Sequence, residues 1–344
     1  MYPFYLGLDL HLKKTYAVLL DAQGNTLDER QIANKELPTY LHKVVPPKTF
    51  AVLEATRNWP FLYDLLAEHV ERVELAHPKE LKAISSAAVK TDRIDARVLA
   101  QLARLNYLPI AYAAPATTRD LRLLMRHRSQ LVWARTRAKN RIHALLARNN
   151  LVAPVTDLFG AQGREILEQE LCLQLRPSAR KVLSNHLGLI DYLNEQIEAT
   201  EAAIDLTPEQ KQAVRLLITI PGVGQTIAHT IVAEIGDIRR FHSPKALCNW
   251  AGLTPRVRQS AAVIHHGSIS KQGSPYLRAA MTQAATISSR FSRRWYVVHE
   301  RLARRIGKQA AKVAVARRLL TVVYYMLKRN EPYQEDYQAN RRRA

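Results

Sequence analysis

Apolar residues fall in short runs over the first hundred positions and in helical periods thereafter. Tyr5–Leu10, Tyr16–Leu20 and Thr26–Ala33 read as three successive strands, with a turn at Ala22-Gln23-Gly24-Asn25. Phe50–Ala55 and Arg72–Ala76 are further strands, separated by a helical pattern over Trp59–Val70. Antiparallel strands followed by strand–helix alternation predict a mixed sheet with helices on its faces, an α/β domain over residues 1–115.

The texture then changes. Leu124, Leu131, Ala138 and Leu145 recur every seven residues, with Leu121 and Ile142 beside them. A second stripe runs Leu183, Ile190, Ile197 and Ile204, with Leu187 and Leu193 alongside. The pattern predicts two helices with one packed seam each, either an antiparallel coiled-coil arm over 116–207 or core helices of a bundle. Residues 208–344 read as a third, mostly α-helical domain, in which Lys308–Leu327 carries an apolar face.

Charge narrows the partner. The 344 residues hold 51 Lys and Arg against 30 Asp and Glu, a formal net charge of +21, which favours DNA or RNA over neutral ligands. Nine of the cations fall within 119–148, against Asp120 alone, so that helix has a basic exterior. Arg126, Arg128, Arg135 and Lys139 on it are candidate phosphate contacts. The tail from Arg301 is also basic, and its terminal RRRA reads as solvated. No apolar run reaches the ~18–20 residues needed to span a bilayer, and no secretion signal opens the chain. Cys172 and Cys248 offer neither metal-ligand spacing nor a disulfide framework, so a reducing cytosol is the expected compartment.

Four acids stand out against this background. Asp9 lies in YLGLDL and Glu54 in FAVLEA, where a buried carboxylate needs a partner or a metal. Asp92 and Asp95, in KTDRIDARVLAQLA, are three apart and share one face of a helix start, with Lys90 and Arg93 nearby. Mg2+ takes such carboxylates together with phosphate oxygens. Taken singly, each acid is also an ordinary surface or first-turn residue. In LLITIPGVGQTIAHTIVAEIG, Gly222 and Gly224 join two apolar helices, the pattern of a helix-hairpin-helix that grips a phosphate backbone or of a plain turn between core helices. The stretch 249–281 places Ser260, Ser268, Ser270 and Ser274 among Arg256, Arg258, Lys271 and Arg278, of which Arg256, Lys271 and Arg278 are candidate phosphate contacts. Such serines can bind phosphate, cap helices or attack a phosphodiester. His265 and His266 are adjacent, and side chains one apart diverge.

LGLDLHLKKTYAVLLD, VLEAT, KTDRIDARVLA, IPGVGQTIA, AGLTP and GSISKQGSPYLR, in this order, resemble the DEDD-type insertion-sequence transposases of the IS-one-ten group. The resemblance implies an RNase H-like fold of the RuvC-like kind, with Asp9, Glu54, Asp92 and Asp95 binding Mg2+. It places a nucleophilic serine at Ser260, by the match to TPRVRQS, although Ala261 and Ala262 follow where the family has glycine; Ser268 and Ser270 stay open. It further implies a structured noncoding guide RNA, DNA of the element ends and target, and a dimer or tetramer assembled through the arm. A nucleoid-associated recombinase is the expected activity. The alternative is a junction-resolvase-type nuclease with water as nucleophile, and a non-enzymatic nucleic-acid-binding protein is the third possibility.

Overall fold

A computed structural model describes residues 2–84, 91–260 and 263–335, with side chains described outside 257–266. The chain forms two compact units, Met1–Ala113 and Ala114–Ala344.

The first unit is a six-stranded sheet in the order β3-β2-β1-β4-β5-β6. Its strands are β1 (Phe4–Leu10), β2 (Lys14–Asp21), β3 (Thr26–Ala33), β4 (Thr49–Glu54), β5 (Arg72–Ala76) and the short β6 (Ile110–Ala111). β1 is antiparallel to β2 and parallel to β4, and β4 is parallel to β5. Alternation along β1 separates two cores. Leu6, Leu8 and Leu10 pack with α1 (Leu37–Val44) and α2 (Trp59–Ala67) through Leu37, Leu41, Leu62 and Leu66. After α3 (Pro78–Ile84), α4 (Asp92–Arg104) covers the opposite face, setting Ala96, Leu99, Ala100 and Ala103 against Tyr5, Val18, Phe50 and Val52. The helix approaches closely because β1 carries Gly7 there. A Cβ at Gly7 would stand 2.0 Å from the Ala96 carbonyl oxygen and 2.7 Å from the Ala100 nitrogen.

The second unit opens with α5 (Ala116–Arg148), followed by the short α6 (Ala161–Glu165) and α7 (Pro177–Ala202). α5 and α7 run antiparallel: Arg128 meets Glu201, Arg135 meets Asn194, and Ile142 and Leu146 lie with Leu183, Leu187 and Ile190. The buried row on α5 is Leu121, Met125, Ala138, Ile142 and Leu146, so the expected seam is displaced. Leu124, Leu131 and Leu145 are only partly buried. The reason is that α5 serves two cores. Leu121 and Met125 join the core of the following helices, whereas Ala138 onward packs on α7. The expected arm and C-terminal domain accordingly share one compact unit.

The remaining elements are α8 (Pro208–Ile218), α9 (Gln225–Ile235), α10 (Pro244–Trp250), a β7 (Pro255–Ser260) and β8 (Val263–Ile269) hairpin, α11 (Pro275–Phe291), α12 (Arg293–Ile306) and α13 (Lys308–Arg329). α13 supplies Val315, Ala316, Leu319, Leu320, Val323 and Met326 to the same core as α9 and α11. Among the described residues, no helix is long and apolar enough to cross a membrane.

Candidate metal centre and nucleic-acid interface

Asp9 follows Gly7 on the α4 face of β1, so the close docking of α4 points its first turn at Asp9. Thr91 caps that turn by accepting the Ile94 N–H at 3.3 Å. The His11 Nε2 lies 3.1 Å from Asp9 Oδ2 and 3.3 Å from Asp92 Oδ1. One ligand atom each from Asp9, His11 and Asp92 lies within 4.8 Å of the others, a spacing that can hold a metal ion. Asp95 is near enough for its charge to act on Asp9. Glu54 ends β4, and the Leu8–Leu53 register sets it beside Asp9 across parallel strands.

Electrostatics follow from this crowding. Burial raises the Asp9 carboxyl above its ordinary value, with Asp92 and Asp95 adding to the rise and His11 opposing it. Burial works against charge on His11, but the Asp9 and Asp92 carboxylates outweigh it and raise the imidazole. The donor set of carboxylate oxygens with one imidazole fits a divalent cation, which would replace mutual repulsion among the acids by attraction. His11 was not among the residues expected from sequence. Its signal was present in Asp9-Leu10-His11, since residues two apart on a strand share a face.

A second group fixes the helix that presents Asp92 and Asp95. Glu29 on β3 accepts from Arg97 at 2.6 Å and from the Tyr16 hydroxyl at 3.1 Å, and it also pairs with Arg93. Arg93 is thus engaged with Glu29, whereas Lys90 lies outside the described residues.

In the second unit, several expected phosphate contacts have protein partners. Arg126 pairs with Glu234 through two bonds of 2.7 and 2.8 Å, and the Glu234 side chain is 2% exposed. Arg126 also lies over the Tyr276 ring, which stacks on Trp133. Arg128 bonds Glu201 at 2.5 Å, Arg135 bonds Asn194 at 2.6 Å, and Lys139 sits over Phe159. Arg278 donates to the carbonyls of Ala251, Gln272 and Gly273 at 3.0–3.1 Å, and burial lowers its pKa. These side chains first of all hold the fold. Arg256 donates to the Ser270 carbonyl at 3.2 Å and is otherwise exposed. Gly222 has φ +88°, and a Cβ there would stand 2.7 Å from the Ser288 nitrogen, so its lack of a side chain serves packing on α11. Gly224, which starts α9, faces open space. Ser260 ends β7 opposite Val263, and its side chain lies outside the described residues, as do those of His265 and His266.

Clustered acids at the end of a sheet, in a strongly basic chain, suit an enzyme of nucleic acid, and the sequence matches the transposases. A model described as "Transposase IS116/IS110/IS902 family" matches residues 214–300, and the DEDD model of the IS110 type, described as "Transposase", matches residues 6–150. The chain belongs to the IS110 family of transposases. It is 27% identical to the pilin gene-inverting protein of Moraxella bovis over 96% of this chain and 97% of that one. It is 26% identical to the transposase for insertion sequence element IS1111A of Coxiella burnetii, over 95% and 90% of the two chains. The transposase for IS1328 of Yersinia enterocolitica is 23% identical over 82% and 83%.

Proposed function

We propose that the protein excises and inserts its mobile element by cutting and rejoining DNA strands, with Mg2+ held by Asp9, Glu54, Asp92 and Asp95 and the Ser260 hydroxyl as nucleophile. The observation that carries this reading is the convergence of Asp9, His11 and Asp92 at the carboxyl end of β1 in a transposase-family chain. The strand order, with antiparallel β2 beside parallel β1, β4 and β5, supports an RNase H-like, RuvC-like unit. Held by these acids, Mg2+ would neutralise charge at the scissile phosphate. Asp9 and Asp92 hold the site, and His11 lies between them.

In the proposed step, Ser260 Oγ loses its proton to a base or solvent and bonds to phosphorus as the bond to one DNA oxygen breaks, and that oxygen takes up a proton from solvent and leaves as a free DNA hydroxyl. The phosphoserine link keeps the phosphodiester bond energy for rejoining, so strand exchange needs no ATP. A gene-inverting protein among the relatives supports recombination rather than simple cutting. A structured guide RNA supplies sequence choice by base pairing. The α8–turn–α9 segment acts as a helix-hairpin-helix at Gly224, and the α5–α7 pair, as a coiled-coil arm, joins copies into a dimer or tetramer. The domain division at 115 and 207 then has functional meaning even within one compact second unit.

The metal reading is tested by cleavage of element ends with Mg2+ or EDTA. EDTA, Asp9→Asn and Asp92→Asn are each expected to reduce cleavage by at least about a hundredfold, a loss of about 3 kcal/mol of transition-state stabilisation. Cleavage by both variants at the wild-type rate contradicts it.

A further inference from the structure

We propose that the groove between the base of the β7–β8 hairpin and the α12–α13 pair seats an unpaired DNA strand. The groove has a volume of about 900 Å3. Its floor is aliphatic, formed by the buried Leu302 and the half-buried Ile269 and Val313. Its rim is cationic: Lys271 follows β8, Arg305 lies on α12, and Arg317 and Arg318 lie on α13. Among the described residues, no Asp or Glu lines it. The α13 wall runs from Gln309 to Thr321, about 18 Å at the helical rise, with Arg317 and Arg318 toward its far end.

Lys271 is set by its backbone. It has φ +54°, the left-handed region that a non-glycine residue seldom takes. Its N–H donates to the Gly252 carbonyl at 3.2 Å, while Arg278 gathers the carbonyls of Gln272 and Gly273 just beyond. The cation therefore enters the groove from a fixed point.

The ligand must be both anionic and apolar. A small anion leaves the floor uncovered, and a duplex keeps its bases stacked inside. An unpaired strand lays bases and sugars on the floor and phosphates along the rim. From Pro255 to Ser260, β7 spans five residue steps, about 16 Å, so the seated nucleotides lie a few positions from the hairpin end. Assigning the strand to DNA rests on the proposed role of Ser260; the groove's preference for an unpaired strand does not.

Binding is measured by fluorescence anisotropy in EDTA, with the full chain and a labelled 12-nucleotide DNA strand. The competitors are its duplex, the same sequence as RNA, and a polyglutamate peptide. Arg317→Gln with Arg318→Gln, and separately Arg305→Gln, replace exposed side chains. The double variant is expected to weaken single-strand DNA binding about tenfold and duplex binding less than about threefold, as loss of local phosphate contacts requires. Equal weakening of strand and duplex overturns the proposal, as does selective loss of RNA or of peptide binding with the DNA strand unaffected. EDTA holds catalysis silent, so failure of the serine mechanism leaves this result standing and is scored separately.

Discussion

Asp9 is held in tension by its surroundings: burial and two neighbouring acids favour its neutral form, and His11 favours its charged one. A site of this kind depends on residues that fix the geometry, and Glu29 is the plainest of them. The Arg97 hydrogen bond lowers its carboxyl pKa against the opposing effect of burial, with Tyr16 and Arg93 assisting. A depressed carboxyl contributes stability above its unfolded pKa of about 4.3 and loses it as pH falls through the folded value. Glu29→Gln is therefore expected to lower denaturant stability at pH 7 and to do so by a smaller margin at pH 3. Equal destabilisation at both pH values contradicts the ion-pair account. The same substitution should weaken Mn2+ binding about tenfold, as loss of an outer support to metal ligands does, measured by titration calorimetry. Arg126 calls for a different expectation. Arg126→Ala leaves the Glu234 carboxylate buried and unpaired, and a fully buried pair broken this way costs about 3–5 kcal/mol. The Arg126 side chain is 40% exposed, so about 2 kcal/mol is expected by urea denaturation. A stable variant with weakened DNA binding instead would make Arg126 a phosphate contact.

At the scale of elements, the docking of α4 on β1 decides whether the acids meet. Gly7→Ala has no room without moving the helix backbone, so a loss of about 1–3 kcal/mol is expected, together with weaker Mn2+ binding. Wild-type stability in that variant contradicts the close-packed account. The strands were legible in sequence because short apolar runs and the Ala22–Asn25 turn left few alternatives, and β1 to β5 fall within a residue or two of expectation. The β7–β8 hairpin was not, since PRVRQS and VIHHGSI carry polar and apolar residues without clear alternation. The seam of α5 was misplaced because a heptad count assumes one partner, and this helix has two. Of the site, Asp9 and Glu54 were visible by their placement in apolar strands, and Asp92 and Asp95 by their three-residue spacing at a helix start. The pairing of Arg126, Arg128 and Arg135 was not, because their partners lie 59–108 residues away along the chain.

For the whole molecule, the +21 charge implies that binding to nucleic acid is largely electrostatic. With about six phosphate contacts, log K should fall with log salt at a slope near −5 on duplex DNA, by the counterion-release relation. A flat response contradicts a polyanion partner. Asp9, His11 and Asp92 lie in one unit, and Ser260, which ends a hairpin strand, lies in the other. Their proposed joint action is most directly tested by incubating the protein with Mg2+, the element's ends and its flanking RNA, then separating products on a denaturing gel. A DNA–protein adduct in wild type, absent in Ser260→Ala and in Asp9→Asn, is the predicted result. Cleavage without an adduct, unchanged in Ser260→Ala, would contradict it and leave a metal-and-water nuclease.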